Sequence, residues 1–303
     1  MTLLGLGTYR SRDVVTSATI AAAAGCPLID TAPVYGGGTH QAALSPILKE
    51  HPRVRIATKV GHMTTGQARA ALADGVLTED EAATRHSIAP AYARYQVGMS
   101  RAELQRPMLD LVYLHNPDHH HNGDRQGLHV RIREAFTALE EARAEGLLLG
   151  YGVATWSGFR DGAFTVPDLA RLAEEAAGGP NTGLAAVQLP VSMVEIDPIR
   201  QALTANGPII AACDAGWEVW GSAPLHGGDL PARINDHLAD YIAFGAVPVQ
   251  AALMVAASTP GLTGVLLGTT STGHWRQATE TVTGQRLPPL RLKDICDLLQ
   301  PVT

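Results

Sequence analysis

The feature of this sequence that most constrains its fold is a repeated alternation between short apolar runs and longer amphipathic or alanine-rich segments. Continuous apolar runs are typical of strands that are buried on both faces, as in a parallel sheet covered by helices. Eight such runs predict strands at 3–7, 27–30, 54–59, 109–115, 147–153, 184–189, 218–222 and 264–268. Eight strands separated by helices favour a closed barrel over an open, doubly wound sheet.

The clearest intervening helix is predicted at 129–145, where Ile132, Phe136 and Leu139 share one face and Gly146 is a natural stop. Further helices are predicted at 39–50, 90–105, 167–177, 197–206 and 247–258. The mixed, polar segment 60–89 reads as a long loop with at most a short helix. No segment resembles a linker, so the expected fold is one α/β domain over residues 1–303, a (β/α)8 TIM barrel.

Composition excludes several classes of protein. Apolar residues make up 46% and charged residues 17% of the 303 residues, which suits a large core. The net charge of −6 and the scattered Lys and Arg residues disfavour nucleic acid or a membrane as partner. Cys26, Cys213 and Cys296 have no metal-like spacing, and neither a signal peptide nor a bilayer-spanning run is present. We therefore expect a cytoplasmic protein with reduced thiols and a small-molecule substrate; its oligomeric state is not defined by these features.

Polar residues stand where three neighbouring predicted strands end. Asp30, Lys59 and His115 close the second, third and fourth strands, and Tyr35 follows Asp30 in "LIDTAPVYGGG" (28–38). That stretch alone could be an ordinary surface turn. In a barrel, however, the carboxyl ends of the strands face one bowl, so the four residues are expected to converge there.

These four side chains suit the reduction of a carbonyl group. A tyrosine hydroxyl titrates near pH 10 in water, and the Lys59 ammonium is expected to lower the pKa of Tyr35. Asp30 can hold Lys59 charged, and His115 can hydrogen-bond to a substrate oxygen. Such a pocket stabilises an oxygen that gains charge as hydride reaches its carbon. Because no side chain supplies hydride, a nicotinamide is required.

At this point a family resemblance becomes specific. The motifs that carry it are "GLGTYR" (5–10), "LIDTAPVYGGG" (28–38), "ATKVG" (57–61), "VYLHNPD" (112–118), "VQLPVSMVE" (187–195), "GSAPLHGGDL" (221–230) and "VLLGTTSTGHW" (265–275). Over nearly its whole length the sequence resembles aldo-keto reductases, especially the branch of L-galactose and L-fucose (aldose) dehydrogenase-like proteins. The resemblance implies a catalytic tetrad of Asp30, Tyr35, Lys59 and His115, with Tyr35 as general acid for reduction or base for oxidation.

The resemblance also implies a cofactor groove for NADPH, with NADH possible, and no separate dinucleotide-binding domain. Its implied residues are Gly7, Thr8, Tyr9, Asp30, Thr155, Gln188, Ser222, Ala223, Pro224, Leu225, Gly227, Gly268, Thr269, Thr270, Ser271, His274 and Arg276. Several of these depart from the family pattern. Ala154 and Thr155 replace a Ser-Asn pair, and Ser222 replaces an aromatic residue. Gly268 and His274 replace two cations, which leaves the preference for NADPH over NADH open, with NADPH expected first.

Some features lie outside the implied tetrad. The histidines of "DHHHNGD" (118–124) more often face solvent in such a loop, so no metal site is predicted, although contact with substrate is an alternative. Trp156, Phe159 and residues 60–66 are candidate pocket walls, and Trp220 is assigned to the core.

The function predicted from sequence is an NAD(P)H-dependent oxidoreductase that interconverts a carbonyl and an alcohol, with a sugar-like or specialised-metabolite substrate. One alternative is a non-redox acid–base catalyst of elimination, epimerisation or cyclisation on the same scaffold. Another is a regulatory subunit that binds a nicotinamide. The substrate and the direction of reaction are not defined by the sequence.

Overall fold

Eight parallel strands form a closed barrel in the computed structural model, which describes residues 1–299. The strands are β1 (Leu3–Gly7), β2 (Leu28–Asp30), β3 (Arg55–Val60), β4 (Leu109–His115), β5 (Leu148–Ala154), β6 (Leu184–Pro190), β7 (Glu218–Ser222) and β8 (Gly264–Leu267). Each strand pairs with the next along the chain, and β8 pairs with β1. The predicted barrel and its eight strands are confirmed; residues 300–303 of the predicted domain lie outside the described residues.

Helices surround this barrel. They are α1 (Val14–Ala23), α2 (His40–Glu50), α3 (Thr65–Ala73), α4 (Glu79–Thr84), α5 (Pro90–Leu104), α6 (Arg125–Ala144), α7 (Val166–Ala177), α8 (Asp197–Leu203), α9 (Gly207–Asp214), α10 (Asp236–Ile242), α11 (Pro248–Ala257), α12 (Thr272–Thr283) and α13 (Pro289–Leu298). All six helices predicted from sequence are present. Among residues 1–299, no helix combines the length and the apolar character needed to cross a membrane.

The segment 60–89 is more ordered than expected, because it contains the two short helices α3 and α4. Each helix begins with a reciprocal capping box, in which a threonine and a side chain three residues later satisfy each other's backbone N–H groups. The pairs are Thr64 with Gln67 and Thr78 with Glu81. A Thr-x-x-Gln/Glu pattern is a recognisable helix start, and the sequence-based interpretation overlooked it.

Two large aromatic side chains fill the interior of the barrel, and glycines on neighbouring strands make room for them. Trp220 is 1% exposed, which confirms its assignment to the core. A Cβ atom on Gly264 would lie 2.5 Å from the Trp220 ring, and one on Gly152 would lie 2.8 Å from the Tyr113 ring. Large and small residues therefore interlock across the barrel at the density of a protein interior.

The alternation of side chains along a strand carries this packed interior directly into the polar mouth. In β2, β3 and β4 an inward-facing apolar or aromatic residue is followed two positions later by a polar one. The pairs are Leu28 and Asp30, Ala57 and Lys59, and Tyr113 and His115. The position of the candidate site thus follows from strand periodicity and from the end of each strand.

We expect the substitution Gly264→Ala to destabilise the protein by about 1–3 kcal/mol, because the new methyl group would overlap the buried Trp220 ring. Chemical denaturation of the purified variant measures this change. Gly98→Ala is the matched control, since Gly98 lies within α5 with open space where its Cβ would be. That control should gain up to about 1 kcal/mol from helix propensity; equal effects of the two substitutions would contradict the packing argument.

Candidate active site

A buried ion pair lies at the centre of the barrel mouth. Lys59 Nζ is 2.6 Å and 2.7 Å from the two carboxylate oxygens of Asp30, and 3.1 Å from the carbonyl oxygen of Thr31. The two side chains are 1% and 4% exposed. Because an ammonium group has three donors, these three contacts use all of its hydrogen-bonding capacity and fix its position.

The charge of this pair is held against desolvation. Burial lowers the pKa of Lys59, while the neighbouring Asp30 carboxylate raises it again by its charge and hydrogen bonds. Gln188 adds a third group, since its Nε2 donates to Asp30 Oδ1 at 2.8 Å. Its Oε1 makes no hydrogen bond within residues 1–299, so Gln188 joins the ion pair to the open side of the mouth.

Tyr35 begins a short 3₁₀ turn, Tyr35–Gly38, whose three glycines all have positive φ angles. At Gly36, φ is 59° and a Cβ atom would lie 2.0 Å from the His40 ring. The glycines therefore provide a left-handed backbone that other residues rarely adopt, and Gly36 also makes room for His40. The sequence-based interpretation of this run as merely flexible missed both requirements.

The structure brings the four predicted catalytic residues together. Lys59 Nζ lies 5.3 Å from the centre of the Tyr35 ring, and the rings of Tyr35 and His115 meet edge-on with centres 6.0 Å apart. The Tyr9 ring lies 5.3 Å from that of Tyr35 on the strand β1 side. Tyr35 thus stands between the ion pair and two aromatic neighbours.

The expected lowering of the Tyr35 pKa is not found. Burial raises the pKa of Tyr35 well above its ordinary value, and the charge of Asp30 adds to the effect. The reason is that Asp30 compensates the Lys59 ammonium, whose donors are already occupied. Burial likewise lowers the pKa of His115 well below its ordinary value, with Lys59 adding to the effect. The site therefore combines a protonated phenol with a neutral imidazole at neutral pH.

The residues predicted to line the cofactor groove lie on one continuous arc of the mouth. They follow or end β5, β6, β7, β8 and β1, which are neighbours in the barrel, whereas the tetrad lies on β2, β3 and β4. Close packing joins two parts of this arc, because a Cβ atom on Gly268 would lie 2.7 Å from the carbonyl oxygen of Gly7. Thr8 is fully buried and donates through Oγ1 to the Asp30 carbonyl oxygen at 2.9 Å.

The end of this arc at α12 offers groups suited to an anion. Ser271 caps α12 by accepting from His274 N, and Thr269 Oγ1 accepts from Ser271 N. Arg276 is exposed and makes no ion pair within residues 1–299. Backbone N–H groups at a helix start together with such a guanidinium are suited to bind a phosphate.

Sequence reasoning missed Arg10 on the loop after β1. Its guanidinium carbon lies 5.3 Å from the centre of the Tyr9 ring. Its Nη1 approaches the loop after β7, where a Cβ atom on Gly227 would be only 2.8 Å away. Arg10 therefore spans two loops of the predicted groove, and its position next to "GTY" was the only signal in the sequence.

Thr155 occupies the predicted carboxamide position, but its hydroxyl is already engaged. Its Oγ1 donates to Asp118 Oδ1 at 2.6 Å and accepts from Gly158 N at 2.8 Å. Donation to a cofactor would require this hydroxyl to leave Asp118. Its role as a cofactor ligand stays a prediction, whereas Gln188 has a free acceptor that faces the mouth.

Histidines that the sequence did not connect also lie beside the tetrad. The ring of His62 is 4.7 Å from that of His115, and His86 and His119 lie next to His62. Only His119 of this group was considered beforehand, as part of a loop expected to face solvent; its side chain is exposed, whereas His86 is buried. Their connection required the fold of segment 60–89, which the sequence did not reveal.

The two candidate wall residues that follow β5 differ in exposure. Trp156 is 43% exposed at the mouth, with its ring centre 6.5 Å from that of His226. Phe159 instead packs edge-on against the buried Phe164 ring at 5.2 Å. Trp156 is therefore the better placed of the two to meet a ligand.

Comparison with known proteins agrees with this geometry. A sequence model of the aldo/keto reductase family matches residues 4–240. A D-threo-aldose 1-dehydrogenase from a Pseudomonas species is 29% identical over 140 residues, which cover 44% of this chain and 40% of that protein. The match thus spans less than half of that relative's length. The solved structure of a glycerol dehydrogenase from Gluconobacter oxydans aligns with a TM-score of 0.70 at 20% identity, over 99% of this chain and 93% of that one.

The chain therefore belongs to the aldo/keto reductase family, as the match over residues 4–240 shows. The likeness to the glycerol dehydrogenase shows the shared barrel fold. Together these findings confirm the resemblance that was identified from the sequence motifs.

We expect Lys59→Met to destabilise the protein by about 3–5 kcal/mol, because it leaves the buried Asp30 carboxylate without its partner. Adding Asp30→Asn to Lys59→Met should then cost much less than the two single effects summed. Urea denaturation of the four proteins of this double-mutant cycle measures the coupling.

The exposed ion pair of Arg94 with Glu145, at 2.8 Å, provides the matched control cycle. A coupling of no more than about 1 kcal/mol is expected there. A coupling between Asp30 and Lys59 as small as in the control would contradict the structural importance of the buried pair.

Proposed function

We propose that the protein is an NAD(P)H-dependent oxidoreductase that interconverts a carbonyl and an alcohol, with Tyr35 as general acid and base. The observation that carries this proposal is the position of Tyr35, whose ring centre lies 5.3 Å from the buried Lys59 ammonium and 6.0 Å from the His115 ring. The family and the named relatives support the class of reaction.

Tyr35 is the group that holds the transferable proton. Because burial raises its pKa, the phenol stays protonated at neutral pH until a substrate oxygen gains negative charge and takes the proton. The phenolate that remains is then stabilised by the field of the Lys59 ammonium. In the reverse direction, that phenolate accepts the proton of an alcohol.

Lys59 and Asp30 act through Tyr35 rather than on the substrate. All three ammonium donors are used by Asp30 and Thr31, so Lys59 supplies a fixed positive charge at short range. His115 is neutral and can donate one hydrogen bond to the substrate oxygen without competing with Tyr35 for the acid role. The two residues therefore orient and polarise the same oxygen.

The donor set of the groove fits a nicotinamide dinucleotide. Gln188 Oε1 is free to accept from a carboxamide. The loop Ser222–Gly227 lies on the same arc of the mouth, and Thr269, Thr270 and the start of α12 offer donors to phosphate oxygens. A bound nicotinamide supplies or accepts the hydride. Arg276 and Arg10 are the cations near this groove, which makes NADPH the first cofactor to test and NADH the second.

The substrate class that we propose is a sugar-like carbonyl compound or the matching alcohol. The relative named a D-threo-aldose 1-dehydrogenase supports this class. Ser222 at the end of β7 and the half-buried Asn116 after β4 add small polar groups to the mouth, which suit a substrate with hydroxyl groups.

Tyr35→Phe should lower kcat by a factor of about 10²–10⁴, because it removes the proton donor and keeps the ring. Steady-state turnover, together with nicotinamide fluorescence titration, separates this effect from loss of cofactor binding, which we expect to be unchanged. Tyr241→Phe on α10 is the control and should retain normal turnover. Unchanged turnover in Tyr35→Phe would remove Tyr35 from its role.

Arg276→Ala should raise the KM for NADPH by a factor of about 10, because one charge-assisted hydrogen bond to phosphate is worth about 1.5–3 kcal/mol. The KM for NADH should change little, since it lacks the extra phosphate. Arg53→Ala removes an exposed arginine before β3, at the opposite end of the barrel, and is the control. Equal changes for both cofactors would contradict the assignment of Arg276 to that phosphate.

A second function stays in view because the Thr155 hydroxyl is held by Asp118 and leaves Gln188 as the one prepared carboxamide ligand among those predicted. It is acid–base catalysis without net redox chemistry, in which Tyr35 moves a proton in an elimination, epimerisation or cyclisation. Product formation without any change in nicotinamide absorbance would select this function. Stoichiometric consumption of the nicotinamide would select the oxidoreductase.

A further inference from the structure

Three histidines from three separate segments face one another beside the tetrad. His62 follows β3, His86 lies between α4 and α5, and His119 lies in the 3₁₀ turn after β4. One ring nitrogen of each residue lies within 4.8 Å of one ring nitrogen of both others. The ring centres are 4.5 Å, 5.0 Å and 5.1 Å apart.

We propose that His62, His86 and His119 bind one divalent transition-metal ion of the zinc class. Metal–nitrogen bonds of about 2.0–2.1 Å in a tetrahedral site place ligand nitrogens about 3.3–3.4 Å apart. The three nitrogens therefore need to approach one another by at most about 1.5 Å. His119 is exposed and its ring makes no hydrogen bond within residues 1–299, so rotation of this one side chain can supply much of the approach.

The backbone around His86 is shaped for this cluster. His62 and His86 form an antiparallel bridge, supported by hydrogen bonds from Met63 N to Arg85 O and from Ser87 N to Gly61 O, each at 3.1 Å. Gly61 has a φ of 144°, and a Cβ atom there would lie 2.9 Å from His86 Nε2. Glycine at this position is what allows the buried imidazole to approach the end of β3.

Hydrogen bonds also fix which nitrogen of His86 is free. His86 Nε2 lies 2.7 Å from the carbonyl oxygen of His115, and because a carbonyl only accepts, Nε2 must donate. The lone pair is then on Nδ1. Metal-binding histidines commonly donate their other N–H to a backbone carbonyl, which orients the ring and increases its basicity.

His62 is oriented by Asn116 in a similar way. Asn116 Oδ1 accepts from Trp156 N at 3.1 Å, so its amide group Nδ2 faces His62 Nε2 at 3.3 Å. The His62 Nε2 atom is therefore an acceptor with a lone pair. His120 supports His86 from the other side, with its Nε2 2.9 Å from His86 Nδ1, and is positioned to become a further ligand.

The ligand set determines the class of ion. Three neutral imidazoles suit Zn²⁺, Co²⁺, Ni²⁺ or Cu²⁺ and do not suit Mg²⁺ or Ca²⁺, which require oxygen ligands. With three protein ligands, a fourth position is left for water or for an oxygen of a small molecule. Since the His62 ring is 4.7 Å from that of His115, this position is close to the proposed reaction site.

Isothermal titration of the chelator-treated, tag-free protein with Zn²⁺ tests the proposal without any assay of activity. We expect one ion per chain with a dissociation constant in the micromolar range or tighter, and no binding of Mg²⁺. Loading with Co²⁺ should give the intense visible absorption of a four-coordinate nitrogen site.

Two variants and two controls locate the ion. His119→Ala changes an exposed residue and should weaken Zn²⁺ binding at least 10-fold, as should His62→Ala. His51→Ala, after α2 at the opposite end of the barrel, should bind as the parent protein does. Tyr35→Phe should also bind Zn²⁺ normally, so the outcome does not depend on the proposed function. Absence of binding at 100-fold excess over about 1 μM protein, or normal binding by His119→Ala, would overturn the proposal.

Discussion

The buried ion pair between Lys59 and Asp30 is the interaction on which the candidate site depends. Two charged groups that are almost fully excluded from water persist only because each satisfies the other and because Thr31 and Gln188 complete the hydrogen bonds. The pair has a structural cost that a hydrophobic replacement would avoid. Its retention at the mouth therefore indicates a functional requirement for a fixed positive charge next to Tyr35.

The same pair explains the protonation state of the surrounding residues. The Asp30 carboxylate compensates Lys59, so burial dominates at Tyr35 and keeps its proton in place. His115 has no comparable anion and is held neutral by burial and by the nearby cation. Local compensation of charge, rather than a shared lowering of the Tyr35 pKa, is thus the electrostatic principle of this mouth.

Much of the fold could be predicted because strand burial leaves a direct trace in the sequence. All eight apolar runs became strands, and the period of two along β2, β3 and β4 placed Asp30, Lys59 and His115 at one end of the barrel. Tyr35 could be added because its distance from Asp30 and the following glycines match a family motif. These are local patterns, and local patterns survive in a single sequence.

The parts that escaped prediction depend on contacts between distant segments. The role of Gly36 depends on His40, and the engagement of Thr155 depends on Asp118 from another loop. The cluster of His62, His86 and His119 forms only because α3 and α4 return the chain to the end of β3. No spacing along the chain marks such a set, so only the folded structure makes it visible.

The central claim is that this barrel mouth binds a nicotinamide cofactor next to Tyr35, and cofactor fluorescence tests it most directly. Titration of purified protein into NADPH, and separately into NADH, should change the nicotinamide emission in a saturable way, with a dissociation constant in the micromolar range for at least one of them. Absence of saturable binding of either cofactor up to about 1 mM, which corresponds to less than about 4 kcal/mol of binding free energy, would contradict the account.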